Sequence, residues 1–157
     1  RVAATTPETF PRIARMGLPI FVGLRGMDIP ELAACLETYR EAWRDAGHAG
    51  DGDACLRIPI YAAPTEQAAR EEPHETITYY FRRQADLTLA PVGRAGTGPA
   101  ERRQSQAERL ANLSYDEILS TKVAFGTGPG LVDRLGELRD ELRVNGVAAE
   151  LNPGGLL

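Results

Sequence analysis

Three threonines crowd one turn. Thr5, Thr6 and Thr9 stand around Pro7 and Glu8, directly after the short run Val2-Ala3-Ala4 and before a segment of helical composition. Where a strand gives way to a helix, the first amide N–H groups lack intrahelical acceptors and the positive end of the dipole faces outward. Hydroxyls placed there add donors, so the turn suits an anion such as a phosphate. The same residues also read as ordinary helix-start signals: a hydroxyl cap at Thr6, Pro7 at the first helical position and Glu8 in the first turn. Spacing alone leaves both readings open.

Arg25 is the second candidate. It lies in Gly23-Leu24-Arg25-Gly26, just past the apolar run Leu18–Val22. In α/β folds that C-terminal end of a strand is where ligands bind. Arg25 is placed to contact an anion or to stack on a ring, and reads equally as a solvated arginine between turn glycines. Other motifs carry less. Gly126-Thr127-Gly128-Pro129-Gly130 has no Lys-Ser or Lys-Thr after it, so it reads as a helix start and not as a nucleotide loop. Gly93, Gly96 and Gly98 are loop composition. His48 sits in a glycine-rich turn and His74 between Glu72 and Glu75, so both read as surface residues. Cys35 and Cys55 form no Cys-x-x-Cys pair and read as buried free thiols, which fits a reducing cytoplasm. No nucleophile elbow, Ser-His-Asp pattern, metal-ligand spacing or convincing catalytic acid or base emerges.

The elements that must hold these residues follow from periodicity. Arg1–Ala4 reads as the tail of a strand, and a helix over Pro7–Met16 stops at Gly17. Leu18–Val22 is short, apolar and bounded by glycines, as expected of a strand buried on both faces. Asp28, Pro30 and Glu31 open a helix in which Ile29, Leu32, Ala33, Leu36 and Trp43 recur at helical spacing. Leu56–Ala63 is a further strand despite Arg57 and Pro59. A helix from Thr65 breaks near Pro73 and resumes through Ile77, Tyr80 and Phe81. Residues 90–108 read as a flexible loop or insertion. Ser114 with Glu117 begins a short helix. Leu131, Leu135, Leu138 and Leu142 form the apolar stripe of another, ending at Asn145-Gly146, and Val147–Leu151 is the last strand. Three or four parallel strands joined by helical crossovers make an α/β fold. An open doubly wound sheet and an arc of an eight-stranded barrel both satisfy this order.

Composition narrows the function. The chain has 157 residues, 43% of them hydrophobic, with 18 Lys and Arg against 22 Asp and Glu and a net charge of −4. The balance is that of one globular domain, and scattered acidic charge excludes a nucleic-acid surface. No apolar run approaches the roughly 20 residues that span a bilayer, and Arg1-Val2-Ala3-Ala4 is no signal peptide.

Several segments together carry a resemblance. Thr5-Thr6-Pro7-Glu8-Thr9-Phe10, Gly17-Leu18-Pro19-Ile20-Phe21-Val22, Ile60–Ala69, Phe125-Gly126-Thr127 with Val132-Asp133-Arg134-Leu135, and Glu150–Gly155 resemble, in this order, bacterial-luciferase-like flavin-dependent monooxygenases. The resemblance implies that residues 1–157 are a single partial domain, the C-terminal half of a TIM (β/α)8 barrel with about four parallel strands, the fifth through eighth. It implies reduced FMN as cofactor, or a deazaflavin in some branches. By position, Thr6 and Thr9, with Thr5 beside them and Arg25 nearby, would hold the flavin. The implied activity is oxidation of a small organic substrate by O2, with the cofactor supplying the reactivity. The implied partners are the missing N-terminal half of the barrel, a reductase that supplies reduced flavin, and a second copy in a dimer. A half barrel would be inactive alone, since two strand edges stay unpaired. The alternative is a non-catalytic flavin-binding or partner subunit. One departure stands out: the family's usual Gly-Thr-Pro-Glu reads Gly-Thr-Gly-Pro-Gly at 126–130, without the acid.

Overall fold

The structure, a computed structural model, describes residues 1–90 and 100–155. Its strands are β1 (Val2–Ala3), β2 (Ile20–Gly23), β3 (Ala54–Ala62), β4 (Ala124–Gly126) and β5 (Gly146–Glu150). The helices are α1 (Thr9–Arg15), α2 (Ile29–Asp45), α3 (Glu66–Glu71), α4 (His74–Leu89), α5 (Ala100–Ala111), α6 (Tyr115–Thr121) and α7 (Gly128–Leu142). Every strand pairing is parallel. β2 and β5 flank β3, pairing with residues 54–57 and 55–59, while β4 pairs with its extension, Ile60–Ala62. The arc β1-β2-β3-β5 is the expected set of four strands. β4 is an addition, since three residues are too few for alternation to register in sequence.

Alternation sets the two faces of the arc. Ile20, Val22, Leu56 and Ile58 turn outward and are fully or nearly fully buried against α1, α2 and α7, together with Phe10, Leu32, Leu36, Leu138 and Leu142. Each such side chain contributes about 1.5–3 kcal/mol of burial. The opposite face is different. β2 was expected to be buried on both sides, yet Phe21 and Gly23 are only half-buried and line a cavity.

A second apolar core lies apart from the first. Between β3 and β4 the chain builds α3–α6, in which Ile77, Phe81 and Ala85 of α4 pack on Ala107 and Leu110 of α5, Ile118 of α6 and Val123. The expectation of a loop over 90–108 fails for residues 100–108, which belong to α5. Their Ala, Glu, Arg and Gln composition has high helix propensity, but large apolar side chains are so sparse that periodicity is faint. Residues 91–99 lie outside the described residues.

Local chemistry explains the helix ends. α2 starts at the expected residues, and there a capping box closes: the Glu31 amide donates to Asp28 (2.8 Å) and the Asp28 amide donates to Glu31 (3.0 Å). Ser114 and Glu117 repeat it at α6. α1 departs from expectation. It begins at Thr9, not Pro7, because Thr6–Thr9 close a tighter turn. The Thr9 amide and hydroxyl both donate to the Thr6 carbonyl, at 2.9 and 2.6 Å. Arg40 of α2 is buried and clamps the end of α7, donating to the carbonyls of Leu142 and Arg143 at 2.8 Å each. That arrangement satisfies carbonyls the helix leaves open.

Candidate functional site

A cavity of about 520 Å³ lies against the inner face of the arc, towards the C-terminal ends of its strands. Phe21, Gly23, Arg57 and Pro59 form its floor, and Gln84 and Thr88 of α4 with Gln106 and Leu110 of α5 cover it. The size is that of a small-molecule or cofactor site. A second cavity, of about 360 Å³, adjoins it and shares Arg25, Gly26, Met27 and Lys122. Gly26 allows the covering helix to come close: a Cβ there would stand 2.3 Å from the Gln106 side-chain nitrogen.

Polar side chains fasten the covering helices to the sheet. Arg25 Nη1 donates to Gln84 Oε1 at 2.8 Å, and the Tyr80 hydroxyl donates to Glu150 Oε2 at 3.4 Å. Arg57 of β3 forms an ion pair with Glu150 of β5 on the cavity wall. Lys122 is buried and donates from Nζ to the Met27 carbonyl at 3.0 Å. Burial pushes the lysine pKa down, because the charged form loses hydration. Burial likewise raises the Tyr80 pKa, with Glu150 adding to the rise while Arg25 and Arg57 oppose it.

The four residues singled out in sequence divide into two pairs. Thr5 and Arg25 line the cavity. Thr6 and Thr9 turn into their own loop, where the Thr9 hydroxyl serves the Thr6 carbonyl and also accepts from the Thr6 amide at 3.4 Å. Glu8, in the same turn, takes two hydrogen bonds from Arg102 of α5, at 2.8 and 2.7 Å. That guanidinium, then the residue's own amide and the Thr6 hydroxyl, hold the Glu8 carboxyl down at about 2.

The acid missing from residues 126–130 is supplied through space. Glu66 at the start of α3 accepts from the Thr127 amide at 3.1 Å and the Thr127 hydroxyl at 2.5 Å. A carboxylate therefore already occupies the start of α7, which removes that helix end as an anion site. Both histidines lie outside the cavity, as expected of surface residues. His48 packs tilted against Trp43 with centroids 4.9 Å apart and contacts the Arg15 carbonyl, and His74 meets Tyr115 edge-on at 4.2 Å. Cys35 and Cys55 are free. Among the described residues no cluster could hold a metal ion, and no helix is long and apolar enough to cross a membrane.

Sequence reasoning missed Arg57, Glu150, Lys122 and Glu66. Arg57 did leave a signal, a charge in the middle of an apolar strand, but it counted only against the strand. The other three depend on contacts made far along the chain.

Solved structures share this fold. Monooxygenase RslO1 from Streptomyces bottropensis superposes with a TM-score of 0.67 at 17% identity, over 99% of this chain and 41% of its own. The oxygenating constituent of 3,6-diketocamphane monooxygenase from Pseudomonas putida, solved in complex with FMN, gives 0.68 at 14% identity, over 95% of this chain and 40% of its own. Coenzyme F420-dependent tetrahydromethanopterin reductase from Methanopyrus kandleri gives 0.62 at 15% identity, over 98% and 44%. The chain thus spans about two-fifths of the length of these structures. Among curated protein sequences none matches significantly. The sequence pattern of the luciferase-like monooxygenases, however, matches residues 1–145, so with its parallel arc and mouth cavity the chain belongs to the luciferase-like monooxygenase family.

Proposed function

We propose that this chain forms one side of a flavin-dependent oxidoreductase, a monooxygenase that uses reduced FMN and O2 to oxidise a small organic substrate. The observation that carries this reading is the cavity at the C-terminal ends of the strands in a chain of this family. The residues present fit a flavin. Phe21, Leu24 and Leu110 offer an apolar wall to a ring system, while Thr5, Arg25 and Gln106 offer polar contacts around it. The bound flavin supplies the redox chemistry. This chain's residues bind, orient and exclude water. Thr5 faces the cavity as a direct donor to the flavin phosphate. Thr6 and Thr9 set the turn that presents it, and Arg25, steadied by Gln84, lines the same cavity.

Among the described residues β1 pairs only with β2, and β5 only with β3, so each keeps a strand edge that a closed barrel would pair with further strands. In this reading an N-terminal half barrel completes both edges, a reductase delivers reduced flavin, and the assembled protein dimerises. The 157-residue chain alone is then inactive. Assaying reduced-FMN-dependent oxidation by this chain tests the point, and robust turnover overturns it. The phosphate turn has a separate test. Replacing Thr5 by Val in the full-length polypeptide weakens FMN binding by about 1–3 kcal/mol, the scale of a hydrogen bond to a charged group. Unchanged affinity removes the turn from the site. An F420-type deazaflavin competing better than FMN in that titration reassigns the cofactor. The second reading is a non-catalytic flavin-binding or partner subunit. Flavin binding without substrate oxidation by the completed barrel would establish it.

A further inference from the structure

Of the 18 Lys and Arg residues all but one are arginines, and the exception is buried. Lys122, the only lysine in the chain, is 9% exposed and lines both cavities from the end of α6. A guanidinium keeps its proton at any pH a protein meets, whereas an amine can release one and present a nucleophilic lone pair. The one side chain of this kind therefore stands where a ligand can reach it. Holding the Met27 carbonyl does not account for the choice of lysine. That contact, at 3.0 Å, takes a single N–H, and among the described residues it is the one hydrogen bond that Nζ makes.

The acids that act on the amine are committed elsewhere. Asp28 and Glu31 close the capping box of α2, Glu31 also pairs with Arg109 of α5, and Glu117 serves Ser114 at the start of α6. Burial outweighs the pull of Asp28, Glu31 and Glu117, and Arg109 adds to it, so the amine gives up its proton more readily than an exposed lysine does. The second cavity, about 360 Å³, lies beside the one assigned to the flavin and is of small-ligand size. Met27 and Leu113 give it apolar contacts, and the exposed Asn112 lines it as well.

We propose that Lys122 captures a small aldehyde or ketone as an imine, seated in the second cavity with its carbon chain along Met27 and Leu113. The Nζ lone pair adds to the carbonyl carbon. The oxygen then leaves as water, taking one proton from the nitrogen and one from solvent. The protonated imine keeps a single N–H for the Met27 carbonyl, and Asp28, Glu31 and Glu117 favour its positive charge. Water reverses the step, which needs neither oxidant nor reductant. The inference goes beyond the flavoprotein reading and stands without it.

The test uses the full-length polypeptide with hexanal as probe, sodium cyanoborohydride to fix any imine as a secondary amine, and peptide mapping by mass spectrometry. The Lys122 peptide is expected to gain a hexyl group about tenfold faster, or more, than the exposed amines of the polypeptide, as an amine activated by desolvation should. Unfolding in urea removes that advantage. Asn112→Trp, which narrows the second cavity, slows labelling of Lys122 several-fold and leaves FMN affinity, read by fluorescence, within twofold. Labelling of Lys122 no faster than that of the exposed amines, or equally fast in folded and unfolded protein, overturns the proposal. So does unchanged labelling in Asn112→Trp, which would move the ligand out of the second cavity. The wild-type comparison decides alone if that variant does not fold. Failure of wild type to bind FMN while Lys122 is labelled strikes the flavoprotein reading and leaves the capture established.

Discussion

The sheet and the covering helices are built by opposite routes. In the sheet, Phe10, Ile20, Leu36, Leu56 and Leu138 meet from segments spread along nearly the whole chain. In the cover, Ile77, Phe81, Leu110, Ile118 and Val123 come from one stretch between β3 and β4. The two cores are separate clusters, and much of what joins them is polar: Arg25 with Gln84, Tyr80 with Glu150, Lys122 with the Met27 carbonyl, Arg102 with Glu8 and Arg109 with Glu31. Apolar burial thus makes each unit cohere, whereas hydrogen bonds and ion pairs fix how one sits on the other. The cavity lies along that polar seam, where a ligand's polar groups find partners without disturbing either core.

Core truncations break this comparison most sharply. Phe10→Ala and Phe81→Ala each remove a fully buried ring and cost about 3–5 kcal/mol, a large share of the roughly 5–15 kcal/mol that holds a domain folded. Hydrogen exchange should separate them. Phe10→Ala exposes the whole molecule, whereas Phe81→Ala releases α4–α6 first and leaves β2 and β3 protected. Matching exchange patterns would merge the two units into one.

The seam itself is next. Lys122→Met leaves the Met27 carbonyl without its donor in a buried setting and costs about 1–3 kcal/mol by chemical denaturation. The pH dependence has a definite sign. Because folding lowers the lysine pKa, the unfolded chain holds the proton more tightly, so stability rises as pH climbs towards the ordinary value of 10.5. Lys122→Met should lose that rise.

Smaller effects come from the caps, which offer a matched pair. Asp28→Ala in the sheet unit and Ser114→Ala in the cover each remove a capping box and cost about 1 kcal/mol. The first is expected to lower the unfolding midpoint of the sheet, and the second only protection in α6. The smallest effect belongs to Glu8. Its carboxyl is depressed to about 2, so its contact with Arg102 is intact above 4.5 and is lost as pH falls through about 2. Amide exchange in α5 should quicken over that acid range, and Glu8→Gln should flatten the response.

Much of the framework was legible because its signals are local. Asp28 with Glu31, Ser114 with Glu117, the break at Pro73 and the leucine stripe of α7 each act within a turn or two of chain. β4 was missed for its brevity and α5 for its faint stripe. The threonine turn shows how a local signal can mislead. Thr6 before Pro7 fits a cap, but the Thr9 hydroxyl captures the Thr6 carbonyl and delays the helix by two residues.

The sequence by itself determined the order of the four arc strands and most of the helices, the starts of α2 and α6, and the family, since periodicity, capping chemistry and short motifs lie within neighbouring residues. Only the tertiary structure decided that Glu66 caps α7 from 61 positions away, that Lys122 reaches Met27, and that Arg57 stands between Gly23 and Ala148 over a cavity. Those facts depend on strand register and on how one core rests on another, and both are set by packing across the fold.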